Sequence, residues 1–344
     1  MGSKKYYFVV GALICLGILS GVAGFIYIGD LLKPHQEEVQ EEPQVEIPQV
    51  QQSEGTEEET EWAGLPRARN LAVVVDNDIN ARPQAGLEKA DYIYELPIEG
   101  GTARFMAVFS RFSADLIGPI RSARDYTITI AKEYDPIFVH AGGSPQAFAM
   151  FHEIGNLNGL EGGVDRAFWR IDEREAPYNL YSDSKTLRRV AEQEGFREEG
   201  QLPDFTYLKP DEEFSGSPSE KITIDYGHED FKAEFLYDQV TKRYLRFTGG
   251  VKHWNTAGDQ LSTKNIIIQI VNTNVIDDEG RLQLDLLSTG RAVFFSEGQV
   301  TQGYWEKKQG NDPTKFYRSQ NEEIALAEGN TWLNIVPMNA KIAY

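Results

Sequence analysis

One run of sequence constrains this chain more than any other: from Tyr6 to Gly29, 24 consecutive residues carry no charged side chain. About 20 apolar residues are enough to cross a bilayer core as a helix. A helix buried in a soluble core is seldom this long or this uniformly apolar. The rival reading is a cleaved secretory signal, with Gly21-Val22-Ala23 as its small-residue cleavage site. A signal core usually ends within about 7–15 residues, whereas Phe25-Ile26-Tyr27-Ile28 continues the apolar run past that site. Lipid attachment at Cys15, the single cysteine, would call for a small residue before it, and Ile14 is β-branched. The run is therefore expected to be an uncleaved transmembrane helix. Lys4 and Lys5 precede it and an acidic tract follows, so the positive-inside rule puts the N-terminus in the cytoplasm and the bulk of the chain outside, as a single-pass protein of the cell membrane.

The acidic tract carries much of the formal net charge of -19. Between Asp30 and Glu61 eleven acids face one base, Lys33, which contributes -10. Residues 30–61 are rich in Glu, Gln and Pro and cannot bury enough apolar surface to offset the entropy of ordering. They are expected to be a disordered linker, with a root-mean-square span of roughly 30 Å as a flexible coil. Neither linker nor body has a basic surplus, which argues against nucleic acid as a partner. Beyond Cys15 there is no cysteine, so the outer part has no disulfide framework, thiol nucleophile or Cys-based metal site. Such an ectodomain suits a Gram-positive exterior.

Residues 62–344 are enough for two domains. In the first half, Leu71 to Val75, Asp91 to Leu96, Arg104 to Phe109 and Pro136 to His140 have the pattern of strands. Ser122 to Tyr134, Pro145 to Ile154 and Ser184 to Glu194 have that of helices. The alternation predicts an α/β domain over 62–216. From residue 217 short strand-like runs, among them Lys221 to Tyr226, Ile266 to Val271 and Ala292 to Phe295, are separated by Gly, Asn and Asp. They predict a β-rich domain over 217–344. The expected fold class is thus an α/β N-terminal domain plus a β-rich C-terminal domain, preceded by one transmembrane helix and a disordered linker.

The stretch with most chemistry runs from Asn80 to Asp125. It contains Ala81-Arg82-Pro83-Gln84-Ala85-Gly86, Ala90-Asp91, Glu99-Gly100-Gly101-Thr102-Ala103-Arg104 and Gly118-Pro119-Ile120-Arg121-Ser122-Ala123-Arg124. His140-Ala141-Gly142-Gly143-Ser144-Pro145, Phe168-Trp169-Arg170 and Ala176-Pro177-Tyr178-Asn179 follow. These motifs resemble the YerB-like family of bacterial lipoproteins, a domain family of unknown function. The resemblance covers residues 66 to 344, and the runs Ala81–Gly86 and Gly118–Arg124 are its most specific parts. It implies an α/β domain joined to a β-rich one on a membrane-anchored envelope protein, and it carries no catalytic residues. The chain departs from the family at Cys15, whose neighbour does not suit lipidation, and at Tyr178, where the family pattern leads us to expect histidine.

Read physically, Gly118-Pro119 makes a turn and Ser122 can cap the helix that follows. Cations near a helix N-terminus oppose its dipole, so Arg121 and Arg124 are poor choices for helix stability alone. Arginine forks bind phosphate or carboxylate bidentately. Arg121 and Arg124, with Arg104, Arg82 and Arg170, therefore define a candidate anion pocket. The competing reading is internal ion pairing with Asp91, Glu95, Glu99, Asp125 or Asp165. The loop from His140 to Ser144 is either a ligand-approach loop or a strand-to-helix turn capped by Ser144. It has neither the phosphate-loop nor the Gly-x-Ser-x-Gly pattern. No histidine pair has ligand spacing, and no metal or cofactor is expected. The candidate ligand-binding residues are Arg82, Asp91, Arg104, Arg121, Arg124, His140, Ser144 and Arg170. The expected function is a membrane-anchored extracytoplasmic binding or scaffold module, whose partner is a cell-wall polymer, a lipid-linked precursor or an envelope protein. The alternative is an enzyme acting on phosphate- or pyrophosphate-linked cell-wall precursors.

Overall fold

The run Leu71-Ala72-Val73-Val74-Val75 forms strand β1 (Leu71–Val75), with all five residues buried. A strand covered on both faces has a continuous apolar sequence rather than an alternating one, and β1 sits well inside a large sheet. The computed structural model describes residues 68–200 and 205–344. Beside β1, strand β3 (Ala103–Phe109) runs antiparallel, with Val73 opposite Ala107, and β4 (Ile137–His140) runs parallel, with Val73 opposite Val139. Strand β2 (Tyr92–Pro97) pairs with the far side of β3, and β5 (Asn156–Asn158) with the far side of β4.

The sheet does not stop at β2. The strand Thr331–Pro337 lies parallel to β2, with Ile93 opposite Trp332, and Asn265–Val271 lies parallel to it in turn. Antiparallel strands Thr289–Ser296, Gln299–Glu306 and Lys315–Ser319 continue the same sheet, which has twelve strands. A second, six-stranded sheet is built around Lys221–Asp225, Ala233–Asp238 and Arg243–Thr248. Its Ile222, Phe235 and Tyr244 share a core with Val73, Phe105, Ile266 and Trp332 of the large sheet. The other face of the large sheet packs Ala72, Met106 and Leu333 against Tyr126 and Ile128 of helix α1 (Asp125–Ala131) and Ala147 of α2 (Pro145–Met150). Helix α3 (Ser184–Gln193) adds Leu187, Val190 and Ala191 to the first core.

The expected fold class needs correction. The architecture is mostly β sheet, and the α-helices among the described residues have seven, six and ten residues. The helical patterns over Ser122–Tyr134 and Pro145–Ile154 each resolve into a short α-helix followed by a single 3₁₀ turn, at Lys132–Tyr134 and Phe151–Glu153. Strands from both sides of residue 216 belong to one sheet, so the first half does not form a sheet of its own. Among the described residues no helix is long and apolar enough to cross a membrane. The longest has ten residues, about half of what a span needs. The expected transmembrane segment and the expected linker, residues 1–29 and 30–61, lie outside the described residues.

Candidate functional site

Strands β1, β4 and β5 are parallel, and ligands commonly bind outside the carboxyl ends of such strands. Those ends lead into Asp76-Asn77, His140 to Ser144, and Asn158. The segment from Ile117 to Arg124 threads between them. Asp76 N donates to Pro119 O at 2.9 Å, Arg121 N to Val74 O at 2.9 Å, and Ala141 N to Arg121 O at 2.9 Å. Ala123 N then donates to Gly142 O at 3.0 Å, and Ser144 N to Ala123 O at 3.1 Å. The Ala81–Gly86 run docks on the same segment: Ala85 N donates to Gly118 O at 2.9 Å and Gly118 N to Ala85 O at 3.2 Å. The two sequence runs that are most specific to the family are thus hydrogen-bonded to each other. Gly86 makes this approach feasible, because its φ of 87° is left-handed and a Cβ there would fall 2.5 Å from Leu116 O.

Three guanidinium groups converge on this edge. Arg121 donates through Nε to Asp76 Oδ2 at 2.7 Å, and its two terminal nitrogens meet no acceptor among the described residues. Its guanidinium carbon stands 5.8 Å from the centre of the Tyr178 ring, the position where histidine was expected. Arg124 grips Glu99 with two hydrogen bonds of 2.8 Å, from Nε to Oε1 and from Nη2 to Oε2. Arg104 projects from β3, is 7% exposed, and donates through Nη1 to Ser122 O at 2.7 Å. Its Nε is buried without a partner. Burial lowers the Arg104 pKa to about 10; Asp76 works against that shift, while Arg124 and Arg121 add to it. Asp76 and Glu99 thus hydrogen-bond Arg121 and Arg124, Asp125 lies close enough to Arg124 to feel its charge, and no carboxylate hydrogen-bonds Arg104 among the described residues.

The remaining candidates occupy different settings. Arg82 donates through Nη2 to Asn77 O at 2.9 Å and to Asp230 O at 2.8 Å and lies over Phe231, bracing the Asp76 loop against the six-stranded sheet. Burial lowers its pKa to about 10, and the Arg246 charge adds to the shift. Asp91 is buried and accepts from Ser110 N at 2.8 Å, from Arg111 N at 3.0 Å and from Arg111 Nε. His140 is fully buried, contacting Gly142 O through Nδ1 at 2.9 Å and Asn156 Oδ1 through Nε2 at 3.1 Å, with its ring stacked on Phe151. Burial holds its pKa below the usual histidine value. Ser144 caps α2, accepting from Ala147 N at 3.2 Å. Arg170 donates to Asn179 Oδ1 at 2.6 Å on a separate two-stranded ribbon. Ser122, expected as a helix cap, instead donates to Ala141 O at 2.9 Å, and the N-cap of α1 is Arg124. Arg124 thus stands at the helix N-terminus itself, where Glu99 offsets a charge that opposes the dipole.

Sequence reasoning did not anticipate Asp76 as the partner of Arg121, nor a buried polar chain beneath the site. Glu95 and Arg246 are both wholly buried and pair at 2.9 Å from Oε1 to Nη2. Trp332 Nε1 donates to the other Glu95 oxygen at 3.0 Å. Arg246 lies between the Phe235 and Trp332 rings, at 4.8 and 4.9 Å, and donates through Nε to Thr248 Oγ1 at 3.1 Å. Thr248 Oγ1 contacts His253 Nδ1 at 2.7 Å, His253 Nε2 contacts Gln84 Oε1 at 2.7 Å, and Gln84 Nε2 donates to Asp76 O at 2.9 Å. This chain ties the six-stranded sheet to the loop that holds Arg121. The available sequence signal was Asp76-Asn77 directly after an apolar strand.

A two-sheet fold with a charged edge at the ends of parallel strands is the class this geometry defines, and comparison with other proteins assigns it to a family. Residues 56–197 match the N-terminal domain of a protein of unknown function (DUF3048), and residues 222–333 match its C-terminal domain. The chain is 33% identical over 277 residues to the Bacillus subtilis protein named "Putative lipoprotein YerB", covering 78% of this chain and 81% of that one. The crystal structure of the YerB protein from Bacillus subtilis superposes with a TM-score of 0.71 at 32% identity, over 81% of this chain and 95% of that chain. The chain belongs to this YerB-like, DUF3048 family.

Proposed function

We propose that this chain is a membrane-associated extracytoplasmic protein of the cell envelope, and that it binds an anionic group of a cell-wall polymer or lipid-linked precursor at Arg104, Arg121 and Arg124. The lipoprotein description of its Bacillus relative supports the location. The observation that carries the binding reading is the set of guanidinium donors left over: the Arg104 Nε is buried and unpartnered, and the Arg121 terminal nitrogens meet no acceptor among the described residues. Asp76 holds Arg121 by Nε alone, which leaves its terminal fork oriented for a phosphate or carboxylate.

The test is thermal denaturation of the full chain with pyrophosphate, muropeptides and polyprenyl pyrophosphate headgroup analogues. A ligand at about 100 times its Kd stabilises by about 2.7 kcal/mol. Arg121→Gln is expected to abolish that shift, whereas Arg170→Gln, outside the cluster, retains it. Equal shifts in wild type and a folded Arg121→Gln protein would overturn the assignment.

A further inference from the structure

The opposite end of β4 has its own feature. Ile137, the first residue of that strand, helps line a cavity of about 840 Å³, within the range that small organic ligands occupy. Four arginines line it as well: Arg69, Arg188, Arg189 and Arg197. Asp135 already answers two of them, accepting from Arg69 Nη2 at 3.4 Å and from Arg197 Nη2 at 2.8 Å. Arg188 is in a different position. It follows the buried Leu187 on α3, its Nη1 is buried with no hydrogen-bond partner, and it forms no ion pair among the described residues. Burial, with no acid to offset it, lowers its pKa. Folded proteins seldom leave a buried donor unanswered, least of all a charged one.

The walls beside Arg188 are apolar, from Ile137, Ala191 and Phe196, while Glu192, Glu198 and Glu199 line the cavity with exposed side chains. A guanidinium group on an apolar floor suits an anionic head with an apolar body. Three exposed carboxylates repel a multiply charged ligand more than a singly charged one. We infer that this cavity binds an organic monocarboxylate, its carboxylate on Arg188 and its apolar body against Ile137 and Phe196. The site is separate from the Arg121 cluster and stands or falls independently of it.

The experiment is calorimetric titration of the full chain with octanoate, octanol and octyl phosphate. Octanoate is expected to bind at least about tenfold more tightly than octanol, which lacks the charge, and more tightly than octyl phosphate, which carries more of it. Arg188→Met keeps the bulk and removes the charge, and is expected to weaken octanoate at least about tenfold. Should that variant not fold, Glu192→Lys on the exposed rim is expected to narrow the gap between octyl phosphate and octanoate. The inference is overturned if octanoate binds no better than octanol, if folded Arg188→Met binds octanoate like wild type, or if Glu192→Lys leaves the gap unchanged.

Discussion

Replacing Arg246 with Met would test the buried chain that joins the two sheets. Arg246 and Glu95 are each 0% exposed and 2.9 Å apart. The substitution keeps most of the side-chain volume between Phe235 and Trp332 but leaves Glu95 as a buried carboxylate supported only by Trp332 Nε1. Removing one partner of a buried ion pair costs about 3–5 kcal/mol, a large share of a total stability that is usually about 5–15 kcal/mol. The double variant Glu95→Gln/Arg246→Met leaves no buried charge and retains an acceptor for Trp332, so it is expected to recover about 2 kcal/mol or more of the loss. The pH dependence separates charge from packing. Burial already raises the Glu95 pKa above 4.5, against the lowering effect of Arg246; without Arg246 it rises further. A carboxyl whose folded pKa is raised holds its proton more tightly when folded, so its penalty is present at neutral pH and fades as pH falls through the raised value toward 4.5. Urea denaturation at about pH 7 and about pH 5 should therefore show a smaller deficit for Arg246→Met in acid, and no such change for the double variant. A deficit at about pH 7 below about 1 kcal/mol, or one equal at both pH values, would refute the reasoning.

Other expectations follow from the same geometry. Trp332→Phe keeps the ring over Arg246 and loses the hydrogen bond to Glu95, so it should cost about 1.5–3 kcal/mol in urea denaturation; a neutral result would mean that the carboxylate is satisfied elsewhere. Gly86→Ala forces a left-handed backbone and a contact with Leu116 O, for an expected loss of about 1–3 kcal/mol in the same assay. His253 is buried and held well below its ordinary pKa of 6.5 by burial and by Arg246 and Arg82. The unfolded chain therefore takes up the proton first, and stability declines as pH drops below about 6.5; His253→Gln should flatten that decline, and an unchanged slope would exclude His253 as its source. Asp76→Asn should lower stability by about 1–3 kcal/mol and weaken pyrophosphate binding by loosening the contact that orients Arg121; tighter binding would show that Asp76 competes for Arg121 rather than orienting it.

How much could be read from the sequence depended on how local the cause was. The strands from Leu71 to Phe109 and Ile137 to His140 lie within a residue of where the sequence pattern placed them, because apolar, β-branched and aromatic residues dominate each. The runs Ala81–Gly86 and Gly118–Arg124 were recognisable as family motifs, and Arg104, Arg121 and Arg124 carried the mark of bidentate anion chemistry. Helix extent was overstated, since periodicity continues through a 3₁₀ turn that ends the α-helix at Ala131 or Met150.

Other features exist only in three dimensions. The parallel pairing of Thr331–Pro337 with β2 joins residues more than two hundred positions apart, and no local propensity specifies which strand lies beside which. For the same reason Glu95 could not be matched to Arg246, nor Gln84 to His253, although each is an unremarkable polar residue in its own segment. By itself the sequence determined the family, the strand-forming segments and the chemistry available at the Arg121 edge. Only the tertiary structure decided that both halves share one sheet, that Asp76 and Glu99 take up Arg121 and Arg124, and that Arg188 lines a cavity without forming an ion pair among the described residues. Pattern and propensity act over a few residues, whereas sheet order and charge pairing are fixed by which surfaces can bury one another.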